Sequence, residues 1–360
     1  MIRNSTKILR KGLKISVLQL VLILTFNLSG FAASEEGGSK TDFILHHIQN
    51  SHEWHLATFG HTHISIPLPV IVYSQDRGME FFMSSSFKNE HHEWSEHQGY
   101  VIDEHDHLKP VDESRSIVDL SITKNVASML VSVILLFLVF ISVSNRYKKN
   151  PLSPPKGLQS LLEPIILFVR DEIAIPNIGK DKYMKFMPFL LTVFFFIWFN
   201  NLLGLLPGAA NLTGNIAVTL VLSLFTLFYT IRHSNKNYWV HIFNTPGVPW
   251  WLKLPVPLMP IVEFIGIFTK PLSLTIRLFA NITAGHIIIL SVISLIFIFN
   301  SLAIGPVSVL FGLFMNMVEL LVAFIQAFVF TLLSAIYFGQ AVEEHHHEEG
   351  HEDEVGKAAA

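Results

Sequence analysis

Five of the polar residues in two long apolar stretches near the carboxyl end of the chain have types that could do chemistry within a membrane. They are Arg277, Asn281 and His286 in the first stretch, and Glu319 and Gln326 in the second. Arg277 has no other formal charge close to it in the sequence, and an arginine at bilayer depth costs about 2.5–3.5 kcal/mol on insertion scales. Charges kept at that cost usually mark an ion path, so Arg277 predicts a function. For Asn281 or Gln326 alone, a hydrogen bond that stabilises a helix bundle is an equally good explanation.

The charged and titratable residues suggest two kinds of chemistry. The Arg277 guanidinium does not lose its proton at ordinary pH, so it can act only as a fixed positive charge that attracts and deprotonates a passing carboxylate. His286 and Glu319 can both exchange protons near neutral pH when their surroundings shift their pKa values. A histidine–glutamate pair beside a permanent cation describes a proton path that ends at an electrostatic barrier.

The two apolar stretches are separated only by a short turn, so they predict an antiparallel helical hairpin. In such a hairpin, residues at equal distances from the turn lie side by side, and the sum of their residue numbers is nearly constant. The numbers of Arg277 and Gln326 add up to 603, and those of His286 and Glu319 add up to 605. The sequence therefore predicts two polar levels in the hairpin, with the histidine–glutamate pair nearer the turn.

The hairpin stretches, residues 256–300 and 306–341, are unusually long for membrane helices. At a rise of 1.5 Å per residue they would measure roughly 67 and 54 Å, whereas the hydrocarbon core of a bilayer is about 30 Å thick. Either part of each helix lies outside the hydrocarbon or the hairpin is strongly tilted, and helix length alone leaves both arrangements open.

The composition is that of a membrane protein. Hydrophobic residues make up 51% of the 360 residues and charged residues only 15%, well below the usual share in a soluble domain. The chain has no cysteine, which excludes disulfides and thiolate metal sites. Histidine is abundant, with 18 residues, most of them in two polar segments.

The amino-terminal part predicts an exported region. Residues 1–32 combine a basic start, a short apolar core and small residues at the end, so we predict a cleaved signal peptide, with a first transmembrane anchor as the alternative. Residues 33–118 are polar and rich in histidine, and an alternating stretch around Pro67 predicts a small β-hairpin with loose flanks. The histidine and carboxylate clusters could bind zinc or copper, but their spacing matches no compact site. A solvated, proton-buffering segment is the preferred interpretation, and no metal site is predicted.

The remainder of the chain predicts five membrane helices. The first span is 119–145, the next two are 186–206 and 213–232, and the two hairpin stretches complete the set. Basic residues at positions 146, 148 and 149 follow the first span at once, which places its end in the cytoplasm. Residues 146–185 predict a cytoplasmic loop with an amphipathic helix, lying either on the membrane face or against a partner protein. Residues 342–360 are a polar cytoplasmic tail.

Three segments of the sequence resemble a known family. KPLSLTIRLFANITAGHIII and VELLVAFIQAFVFTLLSAIY are similar to the two signature helices of subunit a of the bacterial F-type ATP synthase, and FNNLLGLLPG is similar to an earlier span of that subunit. The resemblance extends from about residue 117 to 341, with residues 186–341 as its core. The histidine-rich exported region lies outside the common pattern.

The resemblance implies an all-α integral membrane protein that serves as the stator of a rotary motor. Such a subunit holds two offset aqueous half-channels against a rotating ring of c subunits, with its tilted hairpin along the ring. Arg277 matches the family's essential arginine, which keeps the two half-channels apart. Asn281, Gln326, Ser273 and Glu263 match the polar companions of that arginine.

The same resemblance implies a direction of ion flow, a set of partners and a location. Protons enter from outside near His286 and Glu319, load a ring carboxylate, and leave to the cytoplasm after almost a full turn, with Glu263 as the candidate for the exit. The implied partners are the c ring, the b-subunit peripheral stalk, the remaining ATP synthase subunits and membrane lipid, without nucleic acid or a cofactor. The chain would be a non-catalytic, ion-translocating component in the bacterial inner membrane, with a periplasmic amino terminus and a cytoplasmic carboxyl terminus.

Two other functions compete with this interpretation. A secondary transporter could use an intramembrane arginine to bind an anionic substrate, but such transporters often contain internal repeats, and we find none in the sequence. A metal importer could use the exported histidines, but the polar residues within the membrane stretches are too sparse for a metal path.

Overall fold

A computed structural model describes residues 50–343 of the chain with several short gaps. The gaps are residues 60–61, 90–93, 104–105, 113, 150–153, 207–209, 211, 244–257 and 300–304. The predicted signal peptide at 1–32 and nearly all of the predicted tail at 342–360 lie outside the described residues.

The amino-terminal part of the described chain is a β-domain, residues 50–122, made of short antiparallel strands. The strands are β1 (Glu53–Phe59), β2 (Thr62–Pro67), β3 (Pro69–Ser74), β4 (Gly78–Met83), β5 (Tyr100–Ile102), β6 (Leu108–Pro110) and β7 (Ile117–Asp119). Strand β1 pairs with β2, β5 pairs with β6, and β3 lies between β4 and β7 in a three-stranded sheet.

The β-domain has a hydrophobic core of its own. Val70 and Val72 of β3 are fully buried, and they pack with Phe87, Tyr100 and Ile102. These last residues come from a region that the sequence predicted to be loose flanks, so that prediction is wrong. That region has many polar residues and only a few widely spaced apolar ones, and these apolar residues form a core only when the sheet brings them together. The predicted boundary at 118/119 also falls inside β7.

A buried histidine joins the start of β1 to β7. His52 is 3% exposed, and its Nε2 lies 3.3 Å from Asp119 Oδ2, while Asp119 Oδ1 accepts a hydrogen bond from the backbone N–H of Ser121. Burial raises the pKa of Asp119, but the hydrogen bonds from His52 and Ser121 outweigh that effect and lower its pKa to about 2. The charged carboxylate is therefore stabilised in the folded state.

We expect this contact to make the β-domain acid-sensitive. Because the Asp119 pKa is lowered from 3.8 to about 2, its stabilising contribution is present above the unfolded value and is lost as the pH falls through the folded value. Thermal unfolding followed by tryptophan fluorescence should show this loss between about pH 4 and pH 2. Asp119→Asn should lower the unfolding temperature at neutral pH and remove that part of the acid dependence, whereas Glu96→Gln, at an exposed carboxylate, should change neither. If the unfolding temperature of the wild-type protein and that of Asp119→Asn depend on acid pH in the same way, Asp119 is not the cause of the acid sensitivity.

The remainder of the described chain is helical. The helices are α1 (Lys124–Lys149), α2 (Leu158–Phe168), α3 (Ile175–Ile178), α4 (Tyr183–Gly204), α5 (Ile216–Arg232), α6 (Lys236–Phe243), α7 (Leu258–Phe299) and α8 (Gly305–Val342). A π-helical segment, Val169–Ala174, joins α2 to α3 without a break, and a short 3₁₀ helix, Leu212–Gly214, precedes α5. Of these helices α1, α4, α7 and α8 are long and apolar enough to cross a membrane, and α5 is a shorter apolar helix.

The helical part agrees with the sequence predictions at most boundaries. Helices α7 and α8 have 42 and 38 residues and begin and end close to the predicted hairpin limits. Helix α2 covers the residues whose apolar spacing predicted a helix in the loop after the first span. Helix α1 begins at Lys124 rather than 119, because the preceding residues belong to β7 and its extension.

By its internal contacts the chain divides into two units. The first contains Met1–Ser153, Phe195–Val218 and Leu278–Ala327, and the second contains Pro154–Phe194, Thr219–Arg277 and Phe328–Ala360. Helices α4, α5, α7 and α8 therefore each contribute residues to both units.

In the second unit, α8 is fixed near its carboxyl end by close packing and by capping. A Cβ on Gly339 would overlap the backbone carbonyl oxygen of Asn177, so only glycine allows this approach of α8 to α3. The last carbonyls of α8 are also satisfied. Asn235 donates its backbone N–H to the Ala341 carbonyl, and Lys182 Nζ donates to the Val342 carbonyl at 2.8 Å. A cation at a helix carboxyl end also complements the helix dipole.

Candidate functional site

Two contacts in the first unit define the register of the α7–α8 hairpin. Gln326 Nε2 donates a hydrogen bond to the Leu278 carbonyl at 3.3 Å. Glu319 Oε1 lies 2.5 Å from the position that a Cβ on Gly285 would take. The residue numbers of both pairs add up to 604, between the two sums obtained from the sequence. The predicted register of the hairpin is thus confirmed to within one residue in this unit.

Gln326 is the centre of a buried hydrogen-bond network. Its side chain is almost fully buried, and its Oε1 accepts a hydrogen bond from Asn201 Nδ2 at 2.9 Å, in addition to the bond that its Nε2 donates to Leu278. Asn201 also donates to the Ala323 carbonyl, and its Oδ1 accepts from Thr213 Oγ1 at 2.6 Å. Both ends of the Gln326 amide are therefore engaged inside the protein. The network connects α4, α7 and α8, and losing one buried partner of this kind costs about 1–3 kcal/mol.

Asn201 and Thr213 belong to this site although the sequence alone did not predict them. A signal for Asn201 was present, because two adjacent asparagines end an otherwise apolar span in FNNLLG. An unpaired amide in a membrane interior is costly, so such a pair indicates polar partners elsewhere in the bundle. Thr213 lies in a short connection, where threonine is common and its role cannot be read from spacing.

One face of α7 carries polar residues that no described part of the chain covers. Ser273, Arg277 and Asn281 follow one another at intervals of four, and all three are exposed. Residues on the other side of the helix, such as Leu278 and Ile282, are 2–3% exposed. Intervals of four keep side chains on one side of a helix, so the three residues form a polar stripe. Arg277 and Asn281 therefore share a face of α7.

Glu319 occupies a different environment from the stripe. It is 5% exposed, lies on α8, and packs its carboxylate against Gly285 of α7. His286 is the next residue of α7, but its side chain lies outside the described part of the structure. The backbone thus places the predicted histidine–glutamate pair at one level of the hairpin.

The contact between Gly285 and Glu319 provides a direct test of that level. Gly285→Ala should keep the helix, since alanine is a better helix former than glycine, but the new Cβ would displace the Glu319 carboxylate. If Glu319 carries protons, as the family resemblance implies, proton conduction in membrane vesicles should be several-fold slower at an unchanged amount of the chain. The matched control is Gly266→Ala on the same helix, where a Cβ has no described atom within 4 Å. Equal conduction in the two variants would show that the position of the carboxylate does not matter.

The second unit contains a polar pocket. Its empty space, including the part open to solvent, is about 290 Å³. The polar side chains that line it are Ser223, Thr226 and Thr230 of α5, Tyr238 of α6, Lys270 of α7 and Tyr337 of α8. The three residues of α5 lie at intervals of three and four, and Thr219 extends this buried polar stripe in a mainly apolar helix.

Lys270 is the charged residue among those that line this pocket, and it interacts electrostatically with Glu263. Lys270 Nζ donates a hydrogen bond to Gln340 Oε1 at 2.9 Å and lies 5.2 Å from the centroid of the Tyr337 ring. Glu263 interacts electrostatically with both Lys270 and Tyr238. Burial, followed by the charge of Glu263, raises the pKa of Tyr238. The predicted exit residue therefore belongs to a cluster with a cation and two phenols.

The described residues contain no group of three or more histidine or carboxylate side chains arranged to hold a metal ion. The described histidines of the histidine-rich region include His52, His97 and His107, and several other histidines lie in the gaps.

The predicted site residues divide into three groups. Glu319 and Gln326 are buried, Ser273, Arg277 and Asn281 form the stripe on α7, and Glu263 interacts with Lys270 of the pocket.

These features define a mostly helical integral membrane protein with an exposed polar, cationic stripe on one of its membrane helices. An arginine at that depth usually faces a protein interior or a water-filled cavity rather than lipid.

Comparisons with known proteins identify the family. The family model described as ATP synthase A chain matches residues 126–339, and a model described as a domain of unknown function matches residues 43–129. The ATP synthase subunit a of Chloroherpeton thalassium is 47% identical over 241 residues, which cover 65% of this chain and 70% of that protein. The ATP synthase subunit a of Myxococcus xanthus is 45% identical over 239 residues, covering 65% of this chain and 77% of that protein. The chain belongs to the ATP synthase A chain family.

One relative also shares the β-domain. The ATP synthase subunit a 2 of Chlorobium luteolum is 37% identical over 316 residues, which cover 86% of this chain and 78% of that protein. An alignment of that length has to include most of the β-domain as well as the helices. The β-domain is thus not peculiar to this chain.

Proposed function

We propose that this chain is the proton-conducting stator subunit in the Fo sector of an ATP synthase. The observation that carries the proposal is the stripe of Ser273, Arg277 and Asn281 on the uncovered face of α7. A c ring whose carboxylates pass this face would cover the arginine and supply the negative charge that it requires. Arg277 would keep each passing carboxylate deprotonated, so that no proton crosses directly between the two half-channels.

The entrance half-channel is assigned to the level of Glu319 and His286. Glu319 is buried, on a helix whose register with α7 is set by Gln326 and Leu278. A carboxylate and an imidazole at one depth can pass a proton between them and on to a ring carboxylate. Gln326 has both amide ends engaged within the protein, so we assign it the role of holding α4, α7 and α8 in place around this path.

The exit half-channel is assigned to the pocket in the second unit. Its hydroxyl groups from α5 can hold water, since a water needs two to four polar partners. Glu263, which interacts electrostatically with Lys270, is the carboxylate of this cluster and would take up and release the proton. Protons would leave the ring carboxylate here for the cytoplasm.

The proposed function also implies partners and a membrane topology for this chain. The c ring would contact α7, the b-subunit stalk and the other ATP synthase subunits would contact the remainder of the chain, and lipid would surround the outer helices. We propose five crossings, with α5 as the third and the α7–α8 hairpin tilted. The β-domain would be periplasmic and the carboxyl terminus cytoplasmic, in the bacterial inner membrane. Basic residues at the end of α1, Arg146, Lys148 and Lys149, support this orientation. The chain would conduct ions without catalysing a reaction itself.

The proposal can be tested in inverted membrane vesicles from cells that lack this chain and from cells in which it is restored. We expect ATP-driven acidification of the vesicle interior, followed with a pH-sensitive dye, to require the chain. Vesicles stripped of the catalytic sector should leak protons only when the chain is present. Acidification in its absence would contradict the proposal, and ATP-driven sodium uptake without acidification would show that the coupling ion is not the proton.

A further inference from the structure

The three-stranded sheet of the β-domain has one face that is entirely apolar. The face consists of nine residues in three rows: Met79, Tyr73 and Val118; Phe81, Ile71 and Leu120; and Met83, Pro69 and Ile122. The strand register places the first row directly across β4, β3 and β7. Backbone hydrogen bonds from Leu120 to Ile71 and from Ile122 to Pro69 continue the pairing into the other two rows.

This face is exposed although its residues are hydrophobic. Phe81 is 66% exposed, and Met79, Met83, Tyr73, Val118 and Leu120 are each between 45% and 56% exposed. The opposite side of the same sheet holds Val70 and Val72, which form the core of the domain. The opposite side thus combines core residues with polar ones such as Glu80 and Asp119, whereas the exposed side is apolar throughout and no described residue covers it. A continuous exposed apolar surface of this kind usually marks a contact with membrane or protein.

The β-domain is held directly against the first turn of α1. The backbone N–H of Lys124 donates to the Ser51 carbonyl at 2.8 Å, and the N–H of Asn125 donates to Asn50 Oδ1 at 3.1 Å. Asn50 Nδ2 also donates to Thr123 Oγ1 at 3.0 Å. The chain at the start of β1 therefore caps α1, and the sheet cannot move away on a flexible linker.

The apolar face is continuous along the chain with the lipid-exposed surface of α1. Ile122, in the last row of the face, is followed by α1, whose Val126, Leu130 and Ile134 are exposed at helical spacing. At about 3.3 Å per residue, the whole face lies within roughly 15–20 Å of the start of this membrane helix. None of its nine residues is charged, as is expected of a surface that enters the apolar part of a bilayer.

We propose that this face of the β-domain lies against the outer lipid surface of the membrane, so that the domain is bound to the membrane surface beside α1. Phe81, Met79 and Met83 would enter the boundary between headgroups and acyl chains, and Tyr73 would place its hydroxyl among the headgroups. The proposal rests on α1 crossing the membrane and not on ion conduction. It therefore stands or falls independently of the roles assigned to Arg277 and Glu319.

The absence of cysteine from this chain makes a direct test possible. Phe81→Cys would be labelled with a nitroxide in the complete ATP synthase, reconstituted into phospholipid vesicles, after reactive cysteines of other subunits have been blocked. Electron paramagnetic resonance then compares collisions of the label with oxygen, which concentrates in lipid, and with a water-soluble nickel complex. Lys109→Cys, at a lysine whose side chain is 61% exposed, is the control.

We expect the label at position 81 to collide more with oxygen than with the nickel complex, and the label at position 109 to show the reverse. A label at Met79→Cys should behave like that at position 81, which guards against a local disturbance by one substitution. Greater collision with nickel at both sheet positions would show that the face is open to water and would overturn the proposal. Low collision with both probes would also overturn it, because it would show that a protein covers the face.

Discussion

Arg277→Ala is expected to abolish proton-driven ATP synthesis while leaving the complex assembled. The side chain lies on the exposed face of α7 and supports no described hydrogen bond within the chain, so its removal should not unfold the helix bundle. Without the positive charge, a protonated ring carboxylate could pass directly from one half-channel to the other. Ion flow would then no longer require a full rotation of the ring.

Arg277→Lys should lose coupled synthesis as well. Lysine retains a charge, but it lacks the planar guanidinium fork, and its pKa falls readily in an apolar environment. The measurement is ATP synthesis by vesicles energised with an imposed proton gradient, together with passive proton leak after removal of the catalytic sector. The leak separates the two possible failures, because a missing barrier raises it and a blocked path lowers it.

Ile276→Ala is a matched control for both substitutions, since Ile276 is the preceding residue of α7 and is also exposed. It should leave synthesis close to the wild-type rate. Ser273→Ala removes a polar group from the stripe without removing a charge, and it should have a much smaller effect than Arg277→Ala. Normal synthesis by the alanine variant at position 277 would eliminate the proposed function.

His286→Ala and Glu319→Ala should each slow synthesis by about 100-fold, the lower part of the range for removing a proton-transfer group. The double variant should be no slower than about the worse of the two single variants. This follows if both groups act in series on one proton path, because blocking the path twice adds little. Glu319 is buried beside Gly285, which directly precedes His286 in α7.

If the free-energy effects of the two substitutions were additive, the double variant would have a much lower rate of synthesis. If the two residues acted on separate steps, the double variant would be about 10⁴-fold slower, the product of the two single effects. The cycle therefore distinguishes a shared path from independent roles. Met317→Ala, at an exposed residue on the same helix as Glu319, controls for general disturbance of α8. Passive proton conduction through the stripped complex should show the same pattern as synthesis, because the barrier at Arg277 is unchanged.

The contacts of Gln326 change the interpretation of one predicted site residue. Its spacing placed it at the depth of Arg277, and the family resemblance implied that it is a polar companion of that arginine. Its buried bonds to Asn201 and Leu278 instead suggest that it maintains the geometry of that path. These roles are compatible, since a proton path between helices requires that the helices keep their register.

The parts of this protein that could be predicted from sequence depend on local periodicity. Arg277 and Asn281 are four residues apart, so any helix places them on one face. The α7–α8 hairpin has one short turn, and that turn determines which residues lie at equal depth. The hydrophobic lengths of α1 and α4 identify them as membrane-crossing candidates because lipid demands about 20 apolar residues in succession.

Contacts between distant segments of the chain could be identified only from the tertiary structure. Asn201 reaches Gln326 only because α4 packs beside α8, and no periodicity links positions more than 100 residues apart. The pocket around Lys270 combines residues from four helices. In the β-domain, Val70, Phe87 and Tyr100 are scattered among polar residues, and strand pairing joins them into a core. Helical spacing is a property of one segment, whereas burial and hydrogen-bond partners depend on which segments meet, and packing of the whole chain determines that.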